Sequence, residues 1–394
     1  MKQEIYNHLT GNLIPFWENL ADEKFGGFYG LVTADGTIDK EAEKGTILHA
    51  RILWFFSNAS MTIGKKIPAA KHAYEWIKNI ALDKENGGVY WSTTFNGKPL
   101  DTTKHTYCQA FAIYGLSSYY LLSKDKEALD LAVSLYNIIE DKCTGELSYR
   151  EAFNKDFTPT SNEKLSENGV EAYYTMNTLL HVMEGYTELY RALLAAGENI
   201  LADEVAEKLN NCLKIEYEKI YSPELKRQLV FFDDKFNSII DLYSYGHDIE
   251  TSWLLDRTVE VLGDKCENKD ALLAMTKQFA EEVYTIAFDG HSLPYEAENG
   301  FVNTTRAWWV QAEAALGFNH AYQKTGDEKF REATEKVWQY IKNNFILAEM
   351  FGDEPAEWAN ELNMDGTSKE MDLVSIWKCP YHNGRMCIEL INNI

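Results

Sequence analysis

What the sequence has little of narrows its class before any motif is read. Its six cysteines (positions 108, 143, 212, 266, 379 and 387) are scattered and form no C-x-x-C pair. That pattern excludes a zinc ribbon or a thioredoxin-type redox motif, and free thiols suit a reducing cytosol. Basic residues are in deficit, 38 against 61 acidic, for a net charge of −23. A phosphate backbone would be repelled, so nucleic acid is not an expected partner. No apolar run approaches the roughly 20 residues of a membrane span. The opening residues, MKQEIYNHLT, lack the apolar stretch of a secretory signal. A cytoplasmic protein without a membrane partner is expected. The chain contains no G-x-G-x-x-G and no P-loop. No Pro-, Gly- or Ser-rich linker interrupts it, so residues 1–394 are expected to form one domain.

Aromatic residues, by contrast, are abundant: 13%, with 10 Trp and 23 Tyr. Core packing explains much of such an excess, and flat rings also stack on the apolar faces of pyranose sugars; composition does not separate the two. An internal repeat is visible. DEKFGGFYGLVTADG begins at Asp22 and DKENGGVYWSTTFNG at Asp83. Each has an acidic turn, a Gly-Gly pair, a short aromatic strand and a Gly turn, and so reads as a hairpin. Weaker echoes begin at Gly145 and Asp289. Between them the periodicity predicts twelve helices, over about 2–20, 46–63, 68–82, 105–122, 125–141, 171–196, 199–217, 247–263, 267–287, 304–325, 327–346 and 383–393. Helix pairs recurring at a period near 60 residues imply stacked units. Six pairs can close into an all-α (α/α)6 barrel, with the recurring hairpins gathered on one rim around a single pocket.

Several polar residues stand out against this apolar background. His247 and Glu250 lie one turn apart at a predicted helix start, with Trp253 three residues on. A metal, an acid/base pair and a satisfied core pair all fit that pattern. Asn177 and His181 share a face with Tyr174 and Glu184 on an otherwise apolar helix, a stripe that faces either solvent or a wet central cavity. Arg306, Trp309 and Glu313 fall on one face of the helix predicted from 304, where a salt bridge over a core Trp is the plainer reading; Trp308 reads as core. Arg51 has only apolar and aromatic near neighbours and needs an acid or an anionic ligand. Tyr107 and Gln109 open another helix. His382 follows Pro380 at a loop-to-helix junction beside Trp377. A helix N-terminus disfavours the imidazolium, so His247 and His382 are both candidates for a neutral base, although a surface His is more often idle.

The motifs SENG (166–169), MNTLLH (176–181), SYGHDIETSWL (244–254), RAWWVQAEA (306–314) and WKCPYHNGRM (377–386), in this order and nearly end to end, closely resemble those of the cellobiose 2-epimerases of the N-acylglucosamine 2-epimerase superfamily. The resemblance implies an (α/α)6 fold and a disaccharide substrate. His247 and His382 would be general acid/base groups, and His181 would hydrogen-bond an enediolate and help open the sugar ring. Arg51 would hold the reacting oxygens, and Tyr107 and Asn177 would line the pocket. Glu250 and Glu313 would orient the histidines and sugar hydroxyls. Trp253, Trp309 and Trp377 would stack on the sugar or form the wall. One departure is that 348–372 lacks the Gly-Gly pair, which bears on the outer wall. A metal wants three or more ligands, and His247 and Glu250 have no third partner nearby in sequence, so no metal is expected, nor any other cofactor. Both catalytic imidazoles should line one pocket across a gap of roughly 6–8 Å, within hydrogen-bond reach of one carbon from either side. The rivals are an N-acylglucosamine 2-epimerase or aldose–ketose isomerase of the same superfamily, an (α/α)6 glycoside hydrolase, which would need two carboxylates flanking the glycosidic oxygen, and a non-catalytic sugar-binding module.

Overall fold

The structure, a computed structural model, describes residues 1–394 apart from 163, 166, 167, 348–351, 353 and 394. The described residues form twelve helices: α1 (Lys2–His8, continued through Leu9–Leu13 and Ile14–Glu18), α2 (Thr46–Ile63), α3 (Pro68–Trp76, then Ile77–Ala81), α4 (Thr106–Ser123), α5 (Lys126–Ile138, then Ile139–Cys143), α6 (Met176–Ala196), α7 (Asn199–Ile215, then Glu216–Ile220), α8 (Tyr245–Leu262), α9 (Lys269–Ile286), α10 (Trp308–Thr325), α11 (Glu328–Asn344) and α12 (His382–Asn393). Two helices start later than their periodicity predicts. Residues 171–175 and 304–307 are extended, and within them Tyr174–Thr175 and Arg306–Ala307 pair as strands. Arg306 therefore shares no helical face with Trp309, and it pairs with Asp289 instead.

The odd-numbered helices are amphipathic. α11 buries Phe330, Ala333, Thr334, Val337, Trp338 and Ile341, the i, i+3, i+4 stripe of a helix with one wet face. The even-numbered helices are enclosed. α2 and α4 bury nearly every residue of their first three turns. Each even helix packs on the next, α2 on α4, α4 on α6, then α8, α10 and α12, and α12 packs back on α2. The described residues thus form an inner ring of six helices with six outside it, the (α/α)6 arrangement. Small residues let the inner backbones approach. A Cβ on Gly115 of α4 would lie 2.6 Å from the Ala50 carbonyl of α2, and one on Gly185 of α6 would lie 2.7 Å from the Ala110 carbonyl of α4.

All six outer-to-inner connections lie on one rim, and antiparallel pairing stitches each to the next. Lys44–Gly45 pairs with Ser92–Thr93, Lys104–His105 with Ala152–Phe153, and Tyr174–Thr175 with Phe231–Phe232. Leu242–Tyr243 pairs with Glu296–Glu298, and Arg306–Ala307 with Glu361–Leu362. A Val32–Val374 bridge returns the series to its start.

Each connection is also pinned by an acid, buried in five of them and exposed in the fifth, where it is Asp289. In four of the six a cation answers it: Asp22 with Lys44, Asp83 with Lys104, Asp289 with Arg306 and Glu357 with Lys378. In the third and fourth, Glu151 accepts from Thr175 N–H and Thr178 Oγ1, and Glu216 accepts from Gln228. No Lys or Arg pairs with either among the described residues. Burial pushes these carboxyls up, Glu151 to about 7 and Glu216 to about 8. The side chains that open the inner helices complete the pins. His49 accepts from Phe28 N–H, and Gln109 and Gln311 each exchange two hydrogen bonds with the backbone of Val89 and Leu293.

Candidate active site

Because the hairpins share one rim, the N-termini of the inner helices converge at one mouth. A cavity of about 470 Å³ opens there, within the range of small-molecule pockets. Among the residues singled out from sequence, Arg51, Tyr107, Asn177, His181, His247, Glu250, Trp309, Trp377 and His382 line it. Trp253 and Glu313 do not. They lie one layer behind, Trp253 Nε1 donating to Glu313 Oε2 at 3.0 Å, because a further turn down each helix carries the side chain below the cavity floor. Tyr174 sits on a strand against Phe236. The SENG motif is only partly within the described residues; its Asn168 donates to Glu296 and Glu298 on the neighbouring hairpin. The segment 348–372 is likewise described only in part, and from it Asn360, Glu361 and Met371 reach the cavity wall.

The three histidines are each held differently. His382 opens α12 and donates from Nδ1 to Glu313 Oε1 at 2.6 Å. His181 donates from Nδ1 to Glu184 Oε2 at 2.9 Å. Burial pushes the Glu313 carboxyl up and the Arg385 guanidinium beside it draws it back down; an ionised carboxylate only accepts, so with Glu184 and Glu313 ionised both rings carry their proton on Nδ1 and keep Nε2 free. His247 meets Ser244 Oγ at 2.7 Å, and a hydroxyl both donates and accepts. Burial pushes His247 down to about 4 and lowers His181 and His382 as well, so all three imidazoles are neutral at neutral pH. The Trp309 ring lies between two of them, 4.8 Å from His247 and 5.5 Å from His382. The two imidazole centres are therefore no further apart than the sum of those distances. Gly246 makes room for this ring: a Cβ there would meet it at 2.5 Å.

Arg51 is buried, yet no carboxylate pairs with it among the described residues. Its Nη2 donates to Tyr107 Oη at 2.8 Å, and its guanidinium lies over Phe111 and Tyr381 at 4.2 and 4.6 Å. It is a cation facing a cavity without a counter-ion. Glu250 makes no hydrogen bond to a histidine among the described residues, although it lies within 4.8 Å of His382. Its Oε1 takes a hydrogen bond from Arg385, and its Oε2 is buried without a partner.

Sequence reading missed several contributors. Trp308, read as core, lines the cavity, as do Ser244, Tyr295 and Lys378. Arg385 was overlooked altogether, although an Arg inside the apolar run that follows HNG is as anomalous as Arg51. Glu250, Glu313 and His382 bring three possible metal-ligand atoms within 4.8 Å of one another, a cluster that sequence spacing hides because the three lie on different helices. Arg385 occupies the space beside both carboxylates.

The fold agrees with what the chain resembles elsewhere. The family profile for N-acylglucosamine 2-epimerase (GlcNAc 2-epimerase) matches residues 26–383. A cellobiose 2-epimerase from Ruminococcus albus is 48% identical over 99% of this chain and 98% of its own length. One from Eubacterium cellulosolvens is 45% identical over 100% and 99%. The solved cellobiose 2-epimerase of Bacillus thermoamylovorans superposes with a TM-score of 0.93 at 40% identity, covering 100% of this chain and 99% of that one. On matches of this extent, the chain belongs to the N-acylglucosamine 2-epimerase family and is a carbohydrate epimerase.

Proposed function

We propose that this epimerase inverts C2 of the reducing-end glucose of β-1,4-linked disaccharides, turning cellobiose into glucosyl-mannose and lactose into epilactose. The observation that carries the reading is a cavity bounded by neutral imidazoles and by one arginine with no carboxylate partner among the described residues. The C2 proton is acidic only beside a carbonyl, so the sugar ring opens first. One of His247 and His382 takes the C2 proton on a free ring nitrogen. The electron pair moves into an enediolate, whose developing negative charge falls to Arg51 and to His181. Rotation about C2–C3 presents the other face, where the second histidine, having taken up a proton from solvent on its free nitrogen, delivers it to C2, while the first releases its proton to solvent. The open-chain aldose is its own electron sink, so the reaction balances without a redox partner. Trp309 and Trp377, on the cavity wall, offer stacking surfaces for the sugar rings.

The inner ring runs from α2 to α12 and returns, which supports reading residues 1–394 as one catalytic domain. No helix among the described residues is long and apolar enough to cross a membrane. The six cysteines are free and five of them are buried, in keeping with a reducing cytoplasm.

Incubation with cellobiose in deuterium oxide, followed by NMR, tests the reading. The expected product is glucosyl-mannose carrying deuterium at C2. A ketose would move the protein to the aldose–ketose isomerases of the superfamily, free glucose to the hydrolases, and an unchanged, unlabelled sugar would defeat catalysis on this substrate.

A further inference from the structure

The most heavily used side chain near the cavity has no assigned role. Arg385 lies one turn beyond His382 on α12 and is fully buried. Its guanidinium donates to three carboxylates from three inner helices: Glu184 on α6 at 2.5 Å, Glu250 on α8, and Glu313 on α10 at 2.7 Å. It also donates to Tyr381 Oη, which in turn donates to Glu184. Two of those carboxylates are the Nδ1 partners of cavity histidines, Glu184 of His181 and Glu313 of His382. An uncompensated carboxylate pair in a dry interior would draw protons onto its imidazoles or take them itself. One guanidinium between the pairs prevents both.

We propose that Arg385 is a positioning residue that joins His181–Glu184 and His382–Glu313 into one charge-balanced unit, keeping both rings as Nδ1–H tautomers with Nε2 free for the sugar. The proposal rests on the epimerase reading for its consequences in turnover, though not for its structural content. Around His382 stand Glu313 from α10, Arg385 from its own helix, Tyr381 before it, Glu250 from α8, His181 from α6 and Arg51 from α2, with His247, Tyr107 and Lys378 on the same cavity wall. Of these, Arg385, Arg51 and His181 lower its proton affinity, and Glu250 raises it. Removing the guanidinium therefore moves His382 towards the imidazolium.

Two readouts test this. With 15N-histidine-labelled enzyme and no sugar, nitrogen shifts should show His181 and His382 as Nδ1–H tautomers in the wild type, and mixed or protonated rings in Arg385→Gln. In kinetics, Arg385→Gln should lower kcat by at least about 10-fold with KM within about threefold, and shift the acid limb of kcat/KM upward by about one pH unit. Arg385→Lys, which keeps the charge and loses the fork, should return the limb towards wild type without restoring kcat. Unchanged tautomers and an unmoved acid limb in a folded Arg385→Gln enzyme overturn the proposal. If that variant does not fold, Tyr381→Phe removes the hydroxyl shared by Arg385 and Glu184. It should disturb the His181 tautomer and lower kcat, and wild-type nitrogen shifts and pH profile in Tyr381→Phe overturn the proposal equally. An enzyme inactive on every sugar defeats the functional reading, and the NMR arm still decides this one.

Discussion

The fourth and sixth connections bring the two candidate acid/base histidines to the same mouth, and they do so by different means. His247 stands in the first turn of α8, faces a neutral serine, and belongs to a connection pinned by Glu216, which no cation meets among the described residues. His382 begins α12, faces Glu313, and belongs to a connection pinned by the buried Glu357–Lys378 ion pair. Both rings are neutral by burial. The difference is in freedom. Ser244 can donate to or accept from His247, so that ring can carry its proton on either nitrogen. Glu313 admits one tautomer of His382 only. A wall of fixed polarity opposite an adaptable one suits a reaction that must take a proton from one face of C2 and return it to the other.

The largest expected effects come from removing either ring. His247→Ala and His382→Ala should each lower epimerisation by about 10²–10⁴-fold with the fold intact by circular dichroism. A folded variant keeping more than about a tenth of wild-type turnover would remove that histidine from the chemistry, and the comparison between walls with it.

Exchanging the partners sharpens the comparison. Glu313→Gln removes a charge that receives Nδ1–H of His382, Nη2–H of Arg385 and Nε1–H of Trp253. Charge-assisted bonds of this kind contribute about 1.5–3 kcal/mol each, so a fall in kcat of about 10²-fold is expected. Ser244→Ala removes one neutral bond, about 1 kcal/mol, and should cost about fivefold. Steady-state kinetics on cellobiose ranks the two, and equal losses would mean that the serine and the carboxylate do the same work.

The contrast also explains what could be read in advance. The first two connections announce themselves because their hairpin turns carry glycine in the left-handed region, Gly36 and Gly97. At the matching places in the third and fourth connections stand Phe157 and Phe236, with φ of 65° and 66°. Their rings pack against Phe153, and against Phe232 and Tyr174. Tertiary packing there holds a conformation that the sequence does not advertise, so the third connection looked like a weak echo and the fourth was missed. The helices were legible because their apolar period is long. The cavity residues were legible where an anomalous polar side chain sat among apolar ones, as with Arg51 and His181. Depth was not. Nothing in the spacing of Trp253 and Glu313 from His247 and Trp309 distinguishes the wall from the layer behind it, and only helix phase and ring closure do. The Arg385 network joins four helices, and although an Arg beside an apolar run is an anomaly in the sequence, no spacing shows which carboxylates it meets.

The pins give the comparison a pH dependence. Glu216, pushed up from 4.5 to about 8, stays protonated in the fold while the unfolded chain loses its proton near 4.5. Between those values the native state binds more protons, so stability falls as pH rises and levels off above about 8. Glu151, pushed up to about 7, adds to the fall over a narrower window. In the sixth connection the acid meets the Lys378 ammonium instead. Glu216→Gln should therefore flatten the decline, keeping about 2–4 °C of the melting temperature that the wild type loses between pH 6 and pH 9. Parallel melting curves for the two proteins across that range would show that the fourth connection is not held by a protonated acid.

The smallest expected effect is that of a chelator, and the sixth connection is where it would act. Glu250, Glu313 and His382 could present three ligand atoms to one ion, whereas His247 meets a serine hydroxyl and the Trp309 ring. A divalent cation placed among those atoms would lie against the Arg385 guanidinium, which already donates to both carboxylates. It would also compete with His382 Nδ1–H for Glu313. Two positive groups at such close range in a buried site repel strongly, so the arginine fills the role a metal would have. EDTA should leave turnover within error of the untreated enzyme, with wild type and Arg385→Gln assayed side by side. Activity lost on chelation and restored by a divalent ion would replace the guanidinium-centred account of the His382 wall with a metal-centred one. It would also turn the contrast with His247 into one between a metal-supported base and a free one.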